Sequence, residues 1–336
     1  MTLMKHHILV TGGAGYVGSH AVRALLRHGY EVTVVDNLKR GHLDFVHPDA
    51  NFFECDIGDT ALMRDILQQN VDSSTPISAV MHFAGRIEAG LSSKERDDFY
   101  YNNVVCGERL LRVCEEFSVK YFIFSSTAAV YGEPEEVPIR EDALLRPVNY
   151  YGMTKLEFEK RLETEIMKDD RDFHYVALRY FNAAGSSDSG EIGEAHLNET
   201  HLIPRVLRVA KGTAKRVELY GVDYPTRDGT CVRDYIHVED LVDAHVLALQ
   251  YLFDGGKSGV FNLGNGEGFT VKEVIDTAKK ITGVDFPVIE EPRREGDPAT
   301  LVADSAKARE SLKWNPKRTG LSEIVESAWK WERHRS

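Results

Sequence analysis

Tyr151 and Lys155 stand four residues apart in Tyr151-Gly152-Met153-Thr154-Lys155, a spacing that puts both on one helix face. An ammonium beside a phenol favours the phenolate and brings a tyrosine, ordinarily near pKa ~10, towards working pH. Such a phenol can take and return a proton. Tyr-x-x-x-Lys is expected roughly once by chance in a chain this long, so its setting carries the argument. Here it opens a helix that follows a strand ending in Ser125-Ser126-Thr127. Hydroxyls at a strand's carboxyl end lie at the crevice where open α/β sheets bind ligands.

A second constellation begins the chain. Ile8-Leu9-Val10-Thr11 runs into Gly12-Gly13-Ala14-Gly15-Tyr16-Val17-Gly18, and apolar periodicity resumes through Leu26. This reads as a strand, a turn on Gly12 and Gly15, and a helix whose free N–H groups and dipole suit a pyrophosphate beside Tyr16 and Val17. Gly18 lets that helix pack against the strand. The next strand, Tyr30 to Val35, ends at Asp36-Asn37. A carboxylate about 20 residues beyond the glycines accepts hydrogen bonds from a ribose diol and repels a 2′-phosphate. The expected cofactor is NAD. A nicotinamide beside Thr127 and Tyr151 makes a site for taking a proton and a hydride from an alcohol.

These residues need a scaffold of alternating strands and helices. Asn51–Ile57 reads as the third strand, with Asp56 and Ile57 flanking an adenine or Asp56 capping the next helix. Ile77–Gly85 is the fourth, its Phe83-Ala84-Gly85 end beside the phosphates. Asp97–Phe117 is a long helix in which Asn102 and Asn103 face either solvent or the cofactor. Val119–Phe124 and Tyr175–Tyr180 are the fifth and sixth strands. The fold class is α/β, a Rossmann-type doubly wound parallel sheet with a smaller, discontinuous C-terminal substrate domain. The expected division is 1–181 with 237–266 for the cofactor, and 182–236 with 267–336 for the substrate.

Bulk composition excludes other classes. The 336 residues are 42% hydrophobic and 28% charged with a net charge of −12, and no basic run stands out. Neither nucleic acid nor a membrane is expected as a partner. The opening Met1-Thr2-Leu3-Met4-Lys5 lacks a signal peptide's apolar core, and the four cysteines show no paired spacing, so a cytoplasmic location is expected. The thirteen histidines include no His-Glu-x-x-His, and no metal is expected.

The chain resembles the extended short-chain dehydrogenases/reductases nearly end to end, and among them the nucleotide-sugar 4-epimerases. The resemblance rests on Thr11 to His20, Asp36-Asn37-Leu38, Tyr151 to Lys155 and Arg179-Tyr180-Phe181-Asn182. Its most specific carriers are Asp228-Gly229-Thr230-Cys231-Val232-Arg233-Asp234-Tyr235-Ile236-His237 and Arg293-Arg294-Glu295-Gly296-Asp297. It implies a retained NAD, oxidation of carbon 4 of a UDP-hexose, turnover of the 4-keto sugar and return of hydride to the other face. Tyr151 is then general base and acid, with Thr127 orienting the proton. Asn103, Ser125 and Tyr180 join the cofactor contacts. Asn182 and Arg233 hold the diphosphate, and Arg294 and Asp297 hold phosphate and ribose. Leu219 and Tyr220 line the uracil, His201 and Leu202 lie along the nucleotide, and Leu301 borders the sugar's 2-substituent. A homodimer is the family expectation.

Related dehydratases carry an acidic pair after the hydroxyl residue; Ala128 and Ala129 stand there and move no proton. After Gly85 the chain reads Arg86-Ile87-Glu88-Ala89-Gly90-Leu91-Ser92 where many epimerases have a lysine. The extra arginine leaves open an acidic sugar, and UDP-arabinose/xylose, UDP-glucuronate or N-acetyl sugars are alternative substrates. A non-catalytic NAD-sensing regulator is the alternative of another class, disfavoured because both Tyr151 and Lys155 are kept.

Overall fold

The computed structural model describes residues 6–71, 75–88, 90, 94–168, 172–294 and 297–335. Met1 to Lys5, Ala89, Leu91, Ser92, Glu295 and Gly296, all used in the sequence reading, lie outside the described residues. The chain divides into two compact units, one of residues 1–130, 149–179 and 242–261, the other of 131–148, 180–241 and 262–336. The segment 131–148, assigned above to the cofactor domain, therefore counts with the second unit. The reassigned segment contributes its own backbone pairing there, where Ile139 N–H donates to Val302 and Asp304 N–H to Ile139.

The first unit is built on a seven-stranded sheet in the order β11-β6-β5-β4-β1-β2-β3. Its strands are β1 (His7–Thr11), β2 (Glu31–Asp36), β3 (Asn51–Glu54), β4 (Ile77–His82), β5 (Tyr121–Ser125), β6 (His174–Tyr180) and β11 (Gly259–Leu263). β1 to β6 pair in parallel throughout. Every residue of β1 is buried, which is why its Ile8-Leu9-Val10 centre is continuously apolar. Strand order reverses between β1 and β4, where Thr11 stands opposite both Val35 and His82. The carboxyl ends of β1 and β4 thus bound the switch-point crevice of a doubly wound sheet.

Helix α1 (Tyr16–Arg27) follows β1, α2 (Thr60–Val71) follows β3, and α5 (Tyr150–Ile166) precedes β6. The long helix expected over 97–117 is present in three pieces: α3 (Arg96–Tyr100), a π-helical stretch Tyr101–Val105, and α4 (Cys106–Glu116). The third strand stops at Glu54, three residues short of the expected end. Leu110, Cys114, Phe122, Phe124, Phe158 and Leu162 belong to one buried cluster between sheet and helices.

Among the described residues the second unit has three small sheets. Parallel pairs form between β7 (Asn182–Ala184) and β10 (Tyr235–His237), and between β8 (Val217–Tyr220) and β13 (Val288–Glu291). The third is β12 (Phe269–Thr270), β9 (Val232–Arg233) and β14 (Thr300–Leu301). Helices α6 (Leu202–Ala210), α8 (Val271–Thr282) and α10 (Leu321–His334) pack on one another, burying Val206, Val274, Ile275, Ile324 and Val325. Helix α7 spans Val238–Phe253, and the short α9 (Ala306–Ser311) precedes α10. α8 starts on a reciprocal cap in which Thr270 accepts from Glu273 N–H and Glu273 accepts from Thr270 N–H.

Candidate active site

In the first unit the glycine turn is shaped by steric need. Gly12 has φ +75°, and a Cβ there would lie 2.6 Å from the Ala84 nitrogen; one on Gly18 would lie 2.1 Å from the Gly12 carbonyl oxygen. No side chain caps α1 at Gly15, so this helix start presents backbone donors and its dipole to an anion. Tyr16 and Gly18 are buried, while Gly12, Gly15 and Val17 are half-buried. A cradle that any Cβ would fill fits a pyrophosphate, and the residues present fit NAD.

Asp36 is buried at the end of β2. Its carboxylate accepts from Ala14 N–H at 3.0 Å and Leu38 N–H at 2.9 Å, locking the glycine turn to β2. Burial raises its pKa, partly offset by those two N–H groups. Asn37 donates to Asp56 Oδ2 at 2.9 Å, while Asp56 Oδ1 accepts from Gly58 N–H at 3.0 Å. The helix cap is therefore not Asp56 but Asp59, which accepts from Leu62 N–H at 3.1 Å. Ile57 packs into the buried cluster.

At the end of β4, Phe83 and Ala84 N–H groups both donate to Thr11 O. Asn103 lies in the π-helical stretch and is buried. Its Oδ1 accepts from Arg86 N–H at 2.7 Å, and its Nδ2 donates to Arg86 O at 3.1 Å and Thr154 Oγ1 at 3.0 Å. Its carboxamide oxygen also stands 2.9 Å from where a Gly85 Cβ would be. Asn102 instead bonds Asp98 at the surface. Arg86 is committed to carboxylates: Glu95 at 2.6 Å, Glu88 at 3.7 Å and Asp98.

Tyr151 and Lys155 lie on α5, which Asn149 caps by accepting from Gly152 N–H at 2.8 Å. Lys155 is buried, its Nζ donating to Ser125 O at 2.9 Å and standing 5.9 Å from the Tyr151 ring centroid. Burial lowers its pKa to about 8, against the opposing pull of Glu159 one turn on. Glu159 is itself held by Arg179, at 3.0 and 2.5 Å, and by the Ser126 hydroxyl. Thr127 is buried, and its Oγ1 accepts from Ala129 N–H at 3.1 Å, which leaves its O–H to donate. Tyr180, half-buried, ends β6.

The second unit holds a cavity of about 190 Å³. It gathers Asn182, His201, Leu202, Tyr220, Arg233, Arg294 and Asp297, which the sequence reading named as substrate contacts. Arg294 stacks on Tyr220, its guanidinium carbon 3.8 Å from the ring centroid. Arg233 pairs with Asp297, and Asn182 donates to Asp234 O at 3.0 Å. Arginines are suited to a diphosphate through their planar forked donors.

Leu219 and Leu301, also expected to touch the substrate, do not line this cavity. Leu219 is buried in the unit's core, and its strand neighbours Glu218 and Tyr220 line the cavity, because successive β8 side chains alternate. Leu301 pairs with Arg233 across β14 and β9 but is not among the lining residues. Arg205, which sequence reading missed, lines the cavity and pairs with Glu218 at 2.6 Å.

Glu194, His196, Glu199 and His201, which sequence reading did not single out as a group, converge, with one donor atom from each within 4.8 Å of all the others. Burial acts to lower both imidazoles, but Glu194 and Glu199 outweigh it; His196 is held up at about 9 and His201 well above its usual value.

Residues 8–264 match the model of the NAD dependent epimerase/dehydratase family, and the chain belongs to that family. It is 47% identical over 97% of both chains to the UDP-glucose 4-epimerase of Lactobacillus helveticus. The UDP-glucose 4-epimerase of Halalkalibacterium halodurans is 48% identical, over 97% of this chain and 95% of that one. The crystal structure of UDP-glucose 4-epimerase from Brucella ovis in complex with NAD matches with TM-score 0.92 and 41% identity, covering 96% of this chain and 97% of that chain.

Proposed function

We propose that the chain is an NAD-dependent epimerase that inverts carbon 4 of a UDP-hexose, interconverting UDP-glucose and UDP-galactose through a transient 4-keto sugar. The observation that carries the chemistry is Tyr151 one turn from Lys155, whose ammonium is pinned to Ser125 O, in a chain of the NAD dependent epimerase/dehydratase family. NAD, when bound, supplies the hydride acceptor and donor. Gly12, Gly15, Gly18 and Asp36 would hold its pyrophosphate and adenosine ribose, and Asn37, Asp56 and Asn103 would steady the surrounding loops.

Tyr151 Oη takes the proton of the sugar's 4-hydroxyl and gives it back after the ring has turned. Lys155 favours the phenolate by its charge and by the low dielectric around it. Thr127 orients the proton through its free O–H. In the second unit Arg233 and Arg294 would hold the diphosphate and Tyr220 the uracil. Asp297 would accept from the uridine ribose. A homodimer and a cytoplasmic location belong to the same reading as expectations of the resemblance.

The test is incubation of purified protein with UDP-galactose, without added nucleotide, and separation of products by anion exchange. UDP-glucose should appear, and denaturation should release NAD(H) near one equivalent per chain. Folded protein with bound NAD that leaves UDP-galactose unchanged contradicts the reading.

A further inference from the structure

The connection before α6 carries Glu194-x-His196-x-x-Glu199-x-His201 and folds these four side chains around one point. His201 Nδ1 lies 2.7 Å from Glu194 Oε1 and 2.9 Å from Glu199 Oε1. His196 Nδ1 lies 3.2 Å from Glu194 Oε1 and 3.5 Å from Glu199 Oε2. Ligand atoms of a tetrahedral ion with bonds of ~2.0–2.2 Å stand about 3.3–3.6 Å apart, close to the two His196 distances, and the two His201 distances would open by roughly half an ångström to admit the ion.

A second observation points to a cation. The Glu199 side chain has 0% exposure; its Oε1 accepts from His201 N–H at 2.8 Å, but among the described residues its Oε2 makes no hydrogen bond and has only the 3.5 Å ion-pair contact with His196 Nδ1. A buried carboxylate oxygen without a donor is costly, and a cation at the centre of the cluster would satisfy it. Two carboxylates bring two negative charges to one point, which one divalent ion offsets. Mixed imidazole and carboxylate donors suit a borderline first-row ion and not calcium or magnesium, which prefer all-oxygen shells.

We propose that Glu194, His196, Glu199 and His201 form a four-ligand site for a divalent first-row cation, with Zn²⁺ the ion whose tetrahedral nitrogen and oxygen preference it fits. The site braces the connection onto the start of α6, where His201 is the N-cap residue. Glu194 and His201 also line the cavity, so the ion would stiffen one wall of it. The inference stands on the four side chains alone, whatever the cavity binds.

The test uses the full chain freed of metal with a chelator and titrated with Co²⁺, then Zn²⁺. One Co²⁺ per chain should bind with the intense visible bands of four-coordinate cobalt, protons should be released, and Zn²⁺ should bleach the bands. Glu199→Gln and His196→Ala should each weaken binding by at least roughly tenfold, the lower end seen for losing even an outer partner of a metal ligand. Circular dichroism and a melting curve establish that each protein is folded. If one variant fails to fold, the other carries the comparison. The site is overturned if folded wild-type protein binds less than about half an equivalent of Co²⁺ at concentrations where structural zinc-type sites fill. It is equally overturned if wild type and a folded variant bind alike.

Discussion

Lys155 donates to the carbonyl oxygen of Ser125 across 2.9 Å, tying the middle of α5 to the carboxyl end of β5. That bond holds a buried ammonium whose pKa burial has lowered to about 8, and the unfolded chain binds its proton more tightly. Between pH 8 and the ordinary lysine value the unfolded state therefore carries more protons, so stability rises with pH across that window. Below pH 8 the full penalty is present. Lys155→Met should abolish most activity yet stabilise the fold at pH 7 by about 1–3 kcal/mol, an advantage that shrinks above pH 8. Melting curves at pH 7 and pH 10 check this; a variant less stable than wild type at pH 7 contradicts it.

Tyr151→Phe keeps the ring and removes the proton acceptor. Turnover should fall by at least about a hundredfold, in keeping with general-base contributions, while UDP affinity should hold. Calorimetry with UDP alongside steady-state rates separates the two. Near-normal turnover would show that another group moves the proton.

Arg233 pairs with Asp297 in the wall of the cavity. Arg233→Ala removes a phosphate donor and leaves Asp297 without its cation, and both effects oppose an anionic ligand. The dissociation constant for UDP should rise at least tenfold, since a charged hydrogen bond contributes about 1.5–3 kcal/mol, with Arg233→Lys intermediate. A change under roughly twofold would remove the diphosphate from this cavity, because it corresponds to less than half a kcal/mol.

Leu301 is proposed as the residue that fills the space beside the sugar's 2-substituent. Pockets discriminate added bulk by roughly 1–3 kcal/mol, so UDP-glucose and UDP-galactose should be preferred over their N-acetyl forms. Leu301→Ser should narrow that gap. The competing outcome is a lower melting temperature with an unchanged kcat/KM ratio between the sugar pairs, which would make Leu301 a packing residue of β14.

The fold was legible where period and punctuation agree. Apolar β1, the glycine break and Asp36 mark the first βαβ unit without further help. The constellation of Tyr151 and Lys155 was legible because a local helix spacing creates it. What stayed hidden depends on backbone detail or on loops. Asn103 reaches Arg86 and Thr154 from a π-helical stretch that no 3.6-residue pattern announces. Leu219 was expected at the uracil from family resemblance; on β8 it faces the core while Glu218 and Tyr220 line the cavity, a one-residue phase that a short strand fixes poorly. Glu194, His196 and Glu199 sit in an irregular connection, where sequence spacing says little about which side chains meet. Asp59 rather than Asp56 caps α2, a shift of three residues among several acids.

The central claim is oxidation at carbon 4 with the same hydride returned to the other face. It is tested most directly with UDP-galactose bearing deuterium at carbon 4, incubated with the purified protein in ordinary water without added nucleotide. The UDP-glucose formed should retain the deuterium at carbon 4, as read by mass spectrometry and proton NMR. Formation of UDP-glucose with protium at carbon 4 would contradict the account, because inversion would then proceed through exchange with solvent.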